Sequence, residues 1–363
     1  MGTIKQNRAN NILTSGKLDA TDGLNNNVPA TNIANASLSN VTSYPPSAGA
    51  GVSSVASDPP SPNEGQIWYN TTSGALKQYS LLTGSWSSGG NMNTARRTYD
   101  NTAGTQTDGL VFSGYTTVAV GNNEFYNGTS WTELADLNTA RYVSMGSGDV
   151  STAAFCAGGI STAPSVIANN EIWNGTSWTE ANDLNQARYF GGSSGSSTAG
   201  LVIGGETYAQ TESWDGTNWT EVADLNQDRI IMPGTGTQTA SLAISGKNGP
   251  GTIAYTNVEE WNGTNWTEIT DVNTGRATGG ASGTVNSALA IGGNSTVYTN
   301  IVEAYDGTSW TEVADLATAR GNTSGLGSSS LALCSGGTTV PGANVANTEE
   351  WTQGLSVQTI TAS

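Results

Sequence analysis

Histidine is absent from the 363 residues, which removes the commonest general base and the commonest transition-metal ligand together. Only two cysteines occur, in matching apolar runs: Ala154-Phe155-Cys156-Ala157-Gly158-Gly159 and Leu333-Cys334-Ser335-Gly336-Gly337. Equivalent positions in two separate units make them packing residues, so neither a disulfide framework nor a structural metal is expected, and no cofactor is implied. Positive charge is scarce, with 12 Lys and Arg against 29 Asp and Glu and a net charge of −17. That balance favours solubility and argues against nucleic acid, whose phosphates require a basic surface. No apolar run approaches the ~20 residues of a membrane span, and no signal-peptide core is present, so neither membrane insertion nor signal-directed secretion is expected.

Glycine, by contrast, reaches 47, and only 11% of residues are charged. Together with abundant Thr, Ser and Asn, this suits short strands joined by tight turns and suits helices poorly. The chain is also periodic. Trp86, Trp131, Trp178, Trp219, Trp266 and Trp310 recur at intervals of 41–47 residues. Ten residues after each comes an arginine: Arg96, Arg141, Arg188, Arg229, Arg276 and Arg320. A glycine closes an apolar run 17 or 18 residues later, at Gly114, Gly159, Gly205, Gly246, Gly293 and Gly337. A glutamate then precedes an aromatic by two residues, at Glu124, Glu171, Glu212, Glu259, Glu303 and Glu349.

Each unit reads as four strands. A small-residue strand follows the arginine, as in Tyr189-Phe190-Gly191-Gly192, and a continuously apolar one follows, as in Leu201-Val202-Ile203. The third carries the Glu-x-aromatic element and joins the fourth through Asn-Gly or Asp-Gly, dipeptides that favour a type I′ hairpin because both central residues need φ > 0. Four antiparallel strands repeated at this period predict an all-β propeller. Glycine pairs followed by an acidic-x-aromatic element and a Trp resemble the kelch repeat. Trp-Asn-Gly-Thr-Ser-Trp-Thr-Glu, followed by Asp-Leu-Asn-Thr-Ala-Arg, is similar to kelch-like repeats of structural proteins of bacteriophages, especially marine ones. The resemblance covers about residues 86–352 and implies a fold more specifically than a role.

The expected architecture is a six-bladed kelch-like β-propeller over 86–363, its last blade completed by the strand around Trp86 because position 356 is Ser356 rather than Trp. Pairing of 65–81 with Leu355–Ile360 would leave a seventh partial blade open. Residues 63–85, including Gly65-Gln66-Ile67-Trp68-Tyr69-Asn70, resemble a hairpin of phage tail and fibre proteins. Residues 1–62 lack periodicity and end in Asp58-Pro59-Pro60-Ser61-Pro62, which reads as an extended N-terminal arm ordered, if at all, by a partner.

The six arginines and six glutamates recur at equivalent positions, as do Trp131, Trp178, Trp219, Trp266 and Trp310, and residues required in every blade are framework. No catalytic constellation stands out. The copper site of kelch-fold galactose oxidases needs histidines, and Ser213-Trp214-Asp215-Gly216-Thr217-Asn218-Trp219 lacks a residue of the Asp box it resembles. Glu259-Glu260 and Glu349-Glu350 alternate faces of a strand. No enzyme is expected. Length varies almost only between the repeat Gly and Glu, with 9, 11, 6, 12, 9 and 11 intervening residues. These loops share one face of an antiparallel blade with the blade-to-blade connections, and variable loops on a rigid frame are where binding is usually placed. Tyr115, Tyr208, Tyr255 and Tyr298, with Lys247, are therefore the candidate ligand-contact residues. The expected role is a virion appendage, a tail fibre or tail-associated protein present in multiple copies, a homotrimer among the options. It would bind other virion proteins through 1–62 and a host-surface glycan or protein through the loops. A capsid decoration or head-fibre protein without a specific ligand is the alternative.

Overall fold

The computed structural model describes residues 52–360, apart from 64, 82–83, 207, 249–252, 278 and 341. Most of the arm expected over 1–62 thus lies outside the described residues. Among them there is no helix, and so none long and apolar enough to cross a membrane. The chain divides into two compact units, one within Gly84–Thr352 and one built from residues on either side of it.

The flanking unit is a four-stranded sheet of Ser53–Val55, Ile67–Asn70, Ala75–Leu81 and Leu355–Thr359, in that order. The hairpin expected over 63–85 is its centre, with Trp68 opposite Lys77 and Tyr69 opposite Leu76. Leu355–Thr359 pairs antiparallel with the hairpin's second strand, Lys77 facing Thr359. Ser53–Val55 adds a parallel strand, Ser53 facing Trp68. The division by contacts therefore differs from the boundaries read in the sequence: residues from 53 onward and the tail from Gln353 group with the hairpin. Asp58 ties the parallel strand's exit to the sheet, accepting hydrogen bonds from Trp68 Nε1 at 2.9 Å and Asn70 Nδ2 at 2.7 Å. Those two bonds, Asn70 first, hold its carboxyl below the usual range.

The larger unit contains six four-stranded antiparallel sheets, a β-propeller-like arrangement. They span 102–133, 145–181, 192–222, 234–268 and 280–312, and the sixth joins Ser324–Gly327, Leu331–Ser335 and Thr348–Thr352 to Ser85–Ser88. In the third, Gly192–Ser196, Ala199–Gly205, Tyr208–Trp214 and Trp219–Val222 follow one another in space as in sequence. The first strand of each sheet lies against the first strand of the next, and Ser324–Gly327 lies against Thr102–Thr105. Small residues permit this approach: a Cβ on Gly280 would lie 2.3 Å from the Gly325 nitrogen.

The core lies between sheets. Leu110 and Phe112 of the first sheet pack against Trp173 and Trp178 of the second, and Phe155 against Trp214 and Trp219 of the third. The same pattern places Leu326 and Leu333 of the sixth sheet against Val111, Tyr126 and Trp131 of the first. Leu201, Val202 and Ile203 are each fully buried, as a strand covered on both faces requires. An aromatic pair spans the third and fourth strands of each sheet, Trp with Trp in four, as in Trp173 and Trp178 at 5.5 Å between centroids, and Tyr with Trp in the first and fifth, Tyr126–Trp131 and Tyr305–Trp310.

Two local expectations are corrected. The Asn-Gly and Asp-Gly hairpins are not type I′ turns. Trp173 faces Trp178 across a four-residue loop, and only Gly175, at φ +90°, has a positive φ. Asn174 Oδ1 accepts hydrogen bonds from the Thr176 and Ser177 nitrogens, each at 3.0 Å. Asp215 and Asp306 do the same. The side-chain oxygen is what the turn uses, so Asn and Asp interchange. Secondly, the small-residue strand begins at Gly192; Tyr189 and Phe190 precede it, and Phe190 has φ +62°.

Candidate functional site

The repeat arginines and glutamates form six ion pairs, Arg96–Glu124, Arg141–Glu171, Arg188–Glu212, Arg229–Glu259, Arg276–Glu303 and Arg320–Glu349, all buried. Isolated charges at such depth would cost several kcal/mol each, so the remaining lone pairs and donors must be satisfied locally. They are, in large part. In the second repeat Arg141 Nη1 donates to the Asn169 carbonyl at 2.6 Å, while Glu171 accepts from the Asn138 and Thr139 nitrogens at 2.7 and 3.0 Å. Asn138 Nδ2 also bonds Glu171 and the Trp178 carbonyl, both at 2.9 Å. One charge pair thereby fastens the Asp-Leu-Asn-x-Ala-Arg connection, the third strand and the fourth. In the sixth repeat Ala317 replaces the asparagine, and only its backbone nitrogen reaches Glu349, at 2.7 Å.

The Gly-to-Glu loops fold against these connections. The residue after the repeat arginine bridges the residue after the repeat glycine, as in Arg97 with Tyr115, Ile230 with Lys247, Ala277 with Asn294 and Gly321 with Thr338. The approach explains the glycine: at Gly205, φ +99°, a Cβ would lie 2.7 Å from the Tyr189 carbonyl oxygen. Although the bridge recurs, its side chains do not. The residue after the arginine is Arg97, Tyr142, Tyr189, Ile230, Ala277 and Gly321 in turn. Three repeats therefore build an aromatic cluster. Tyr115 meets Tyr142 at 4.8 Å, Tyr99 meets Tyr142 at 6.3 Å and Phe190 at 6.0 Å, and Tyr189 meets Phe190 at 5.2 Å. The Arg97 guanidinium sits 5.3 Å from the Tyr115 ring centroid.

Tyr99 owes its place to an insertion. In the third repeat the residue opposite Ile203 is Gly192, four after Arg188, and the fifth and sixth repeats keep that offset. In the first repeat the Phe112 nitrogen bonds the carbonyl of Asn101, five after Arg96. The additional residue is accommodated by Tyr99 and Asp100, both left-handed at φ +52° and +62°. They extend a ring in which Val143, Phe190, Ile231 and Asn322 are left-handed two residues after the arginine. Such backbone costs on the order of 1–3 kcal/mol per residue. Hydrogen bonds between neighbours hold it, Phe190 N to Val143 O at 2.9 Å, Ile231 N to Phe190 O at 2.6 Å and Thr98 N to Asn322 O at 2.9 Å.

Inside this ring the first strands line a half-open cavity of about 520 Å³, walled by Thr102, Gln106, Ser147, Asp149, Thr235 and their neighbours. Asp100 lines it, and also lines a smaller space of about 20 Å³ beneath Tyr99, Phe190 and Ile231. Its carboxylate accepts from the Gly325 nitrogen at 2.8 Å and from the Ala281 nitrogen. Burial pushes this carboxyl well above the usual carboxylate range, against the pull of those two donors.

Of the residues singled out from the sequence, Tyr115 is in the aromatic cluster, and Tyr298 lies within electrostatic reach of Arg97 and Tyr99. Tyr208 and Tyr255 make no ring contact with the cluster among the described residues. Tyr208 Oη accepts from Gln186 Nε2 at 3.0 Å, on the connection that leads into Arg188 of the same repeat. Lys247 Nζ reaches Asn294 Oδ1 at 3.4 Å. Sequence reading missed Arg97, Tyr99, Tyr142, Tyr189 and Phe190, which sit on the connections rather than in the variable loops. The first repeat's 18-residue Arg-to-Gly interval is shared by the second, where Met145, four after Arg141, keeps the usual offset, so the interval alone did not single out Tyr99. Both cysteines are buried and free, and burial raises the Cys156 thiol to about 11, which keeps it unreactive. Among the described residues no group of three His, Cys, Asp or Glu side chains is placed to hold a metal ion. No protein-family model matches the chain, and no curated protein matches it.

Proposed function

We propose that this chain is a non-enzymatic bacteriophage virion protein, a tail fibre or tail-associated appendage whose six sheets are the blades of a closed kelch-like propeller. In this reading, Ser85–Ser88 completes the sixth blade, and residues 1–62 attach the chain to other virion proteins. The face bearing the Gly-to-Glu loops recognises the host surface. One observation carries the assignment of that face. Six repeats share a buried frame of Arg, Glu and Trp, yet the partly exposed residues on the connections differ, concentrating aromatics and a cation in three of the six. A purely structural ring has no need of that asymmetry. Several copies on one particle would let weak individual contacts hold a cell through avidity.

The test is the position of the protein on the particle, by electron microscopy with labelled antibody, combined with adsorption of phage carrying Tyr142→Ala or Tyr208→Ala. A tail location and impaired adsorption are expected. A capsid location with unchanged adsorption would replace this reading with a decoration role.

A further inference from the structure

Within Gly84–Thr352 there are eight cationic side chains, and six are consumed in the buried pairs, leaving Arg97 and Lys247. Arg97 has no carboxylate within ion-pair distance among the described residues. Its guanidinium is nonetheless held in place. It stacks over Tyr115, Asn344 Oδ1 accepts from its Nε at 3.4 Å, and the Tyr99 hydroxyl lies in hydrogen-bonding reach. Asn344 Nδ2 in turn bonds the carbonyls of Tyr115 and Thr116 at 3.1 and 2.7 Å, fixing the loop that carries the stacked ring. Among the described residues the Lys247 side chain, by comparison, has a single long hydrogen bond and no ring beside it.

An oriented, unpaired guanidinium among half-buried aromatic rings is a two-part recognition element. The guanidinium offers paired N–H donors that match a carboxylate, and the rings offer flat faces to the C–H side of a pyranose. The net charge of −17 opposes a polyanion, whose many charges would meet one guanidinium and a surrounding negative field. Glu206, close enough to Tyr189 to act on its hydroxyl, adds to that field. A ligand with one isolated charge per sugar fits both constraints. Resting on the loop-face reading above, we propose that Arg97, Tyr99, Tyr115, Tyr142 and Phe190 form a subsite for a carboxylated sugar residue.

The full chain would be titrated by saturation-transfer NMR and calorimetry with sialyllactose against lactose, and with galacturonic acid against its methyl ester. Binding of the two acids is expected to exceed that of their neutral partners by about tenfold or more. Arg97→Gln should reduce the acids to the neutral level, Arg97→Lys should recover part of the difference, and Lys247→Gln should change nothing. Circular dichroism of each variant confirms the fold. Equal binding of acid and ester, unchanged acid binding in Arg97→Gln, preference for an acidic peptide, or no saccharide binding at millimolar concentration would each overturn the assignment. The two readings fail separately. Neutral and acidic sugars bound equally, and both lost in Tyr142→Ala, would keep the loop face and remove the acidic specificity. Unchanged phage adsorption in Tyr142→Ala and Tyr208→Ala would remove the loop face itself.

Discussion

At the residue scale, the six buried ion pairs are a frame whose members differ in how completely they are satisfied. Removing one partner leaves an uncompensated charge, so Arg188→Met is expected to cost about 3–5 kcal/mol in urea denaturation. The double change Arg188→Met/Glu212→Leu should recover much of that loss, because both charges leave together. Ala317 points the other way. An asparagine there could make the side-chain bonds that Asn138 and Asn185 make to Glu and to a Trp carbonyl. Ala317→Asn should therefore raise stability by about 1 kcal/mol, read as a higher denaturation midpoint. Asp100 makes stability depend on pH with a definite sign. Its folded carboxyl titrates above the unfolded one, so the folded state holds the proton more tightly. The corresponding stability is present in full below the usual carboxylate range and is lost as pH rises through the raised value. Compared across that window, Asp100→Asn should lose less stability toward neutral pH than the native chain.

At the element scale, the strand plan was legible because periodicity of Trp, Arg, Gly and Glu reports a repeated supersecondary unit. The apolar second strands and the Glu-x-aromatic third strands fall where their patterns put them. The hairpin loops were misread, since Asn-Gly satisfies both a two-residue turn and a four-residue loop capped by the Asn side chain, and the dipeptide alone does not choose. The Trp173–Trp178 register does. Asn174→Asp should leave stability nearly unchanged, whereas Asn174→Ala should lose about 1 kcal/mol with the two capping bonds, measured by thermal unfolding. The aromatic cluster was less legible. Tyr142, Tyr189 and Phe190 follow repeat arginines and read as the start of a strand, but left-handed backbone at Val143 and Phe190 turns the connection across the ring before the strand begins. Backbone strain of that kind is fixed by neighbouring sheets and leaves no local sequence signature.

At the scale of the whole larger unit, the sixth sheet is assembled from residues more than two hundred apart, with Trp351 facing Trp86 and Glu350 facing Ser87. Tyr126 of the first sheet donates to the Glu350 carboxylate, and burial, followed by that bond, lifts the phenol to about 12. Removing residues 1–90 would leave Thr348–Thr352 as a bare, partly apolar edge, and such edges recruit other strands. The truncated chain is expected to associate, detected as a concentration-dependent mass by light scattering, while the full chain does not do so through this edge.

Six nearly interchangeable interfaces also pose a problem of order. A folding chain whose sheets present the same Trp, Leu and Arg positions could dock a sheet beside the wrong neighbour at little energetic penalty. Asp100 belongs to the first repeat's insertion, and its carboxylate bonds nitrogens of the fifth and sixth sheets, Ala281 and Gly325. A carboxylate belonging to the first repeat and bonded to the last two gives one place in an otherwise repetitive assembly a contact of its own, a mark by which the native order of equivalent parts differs from its permutations.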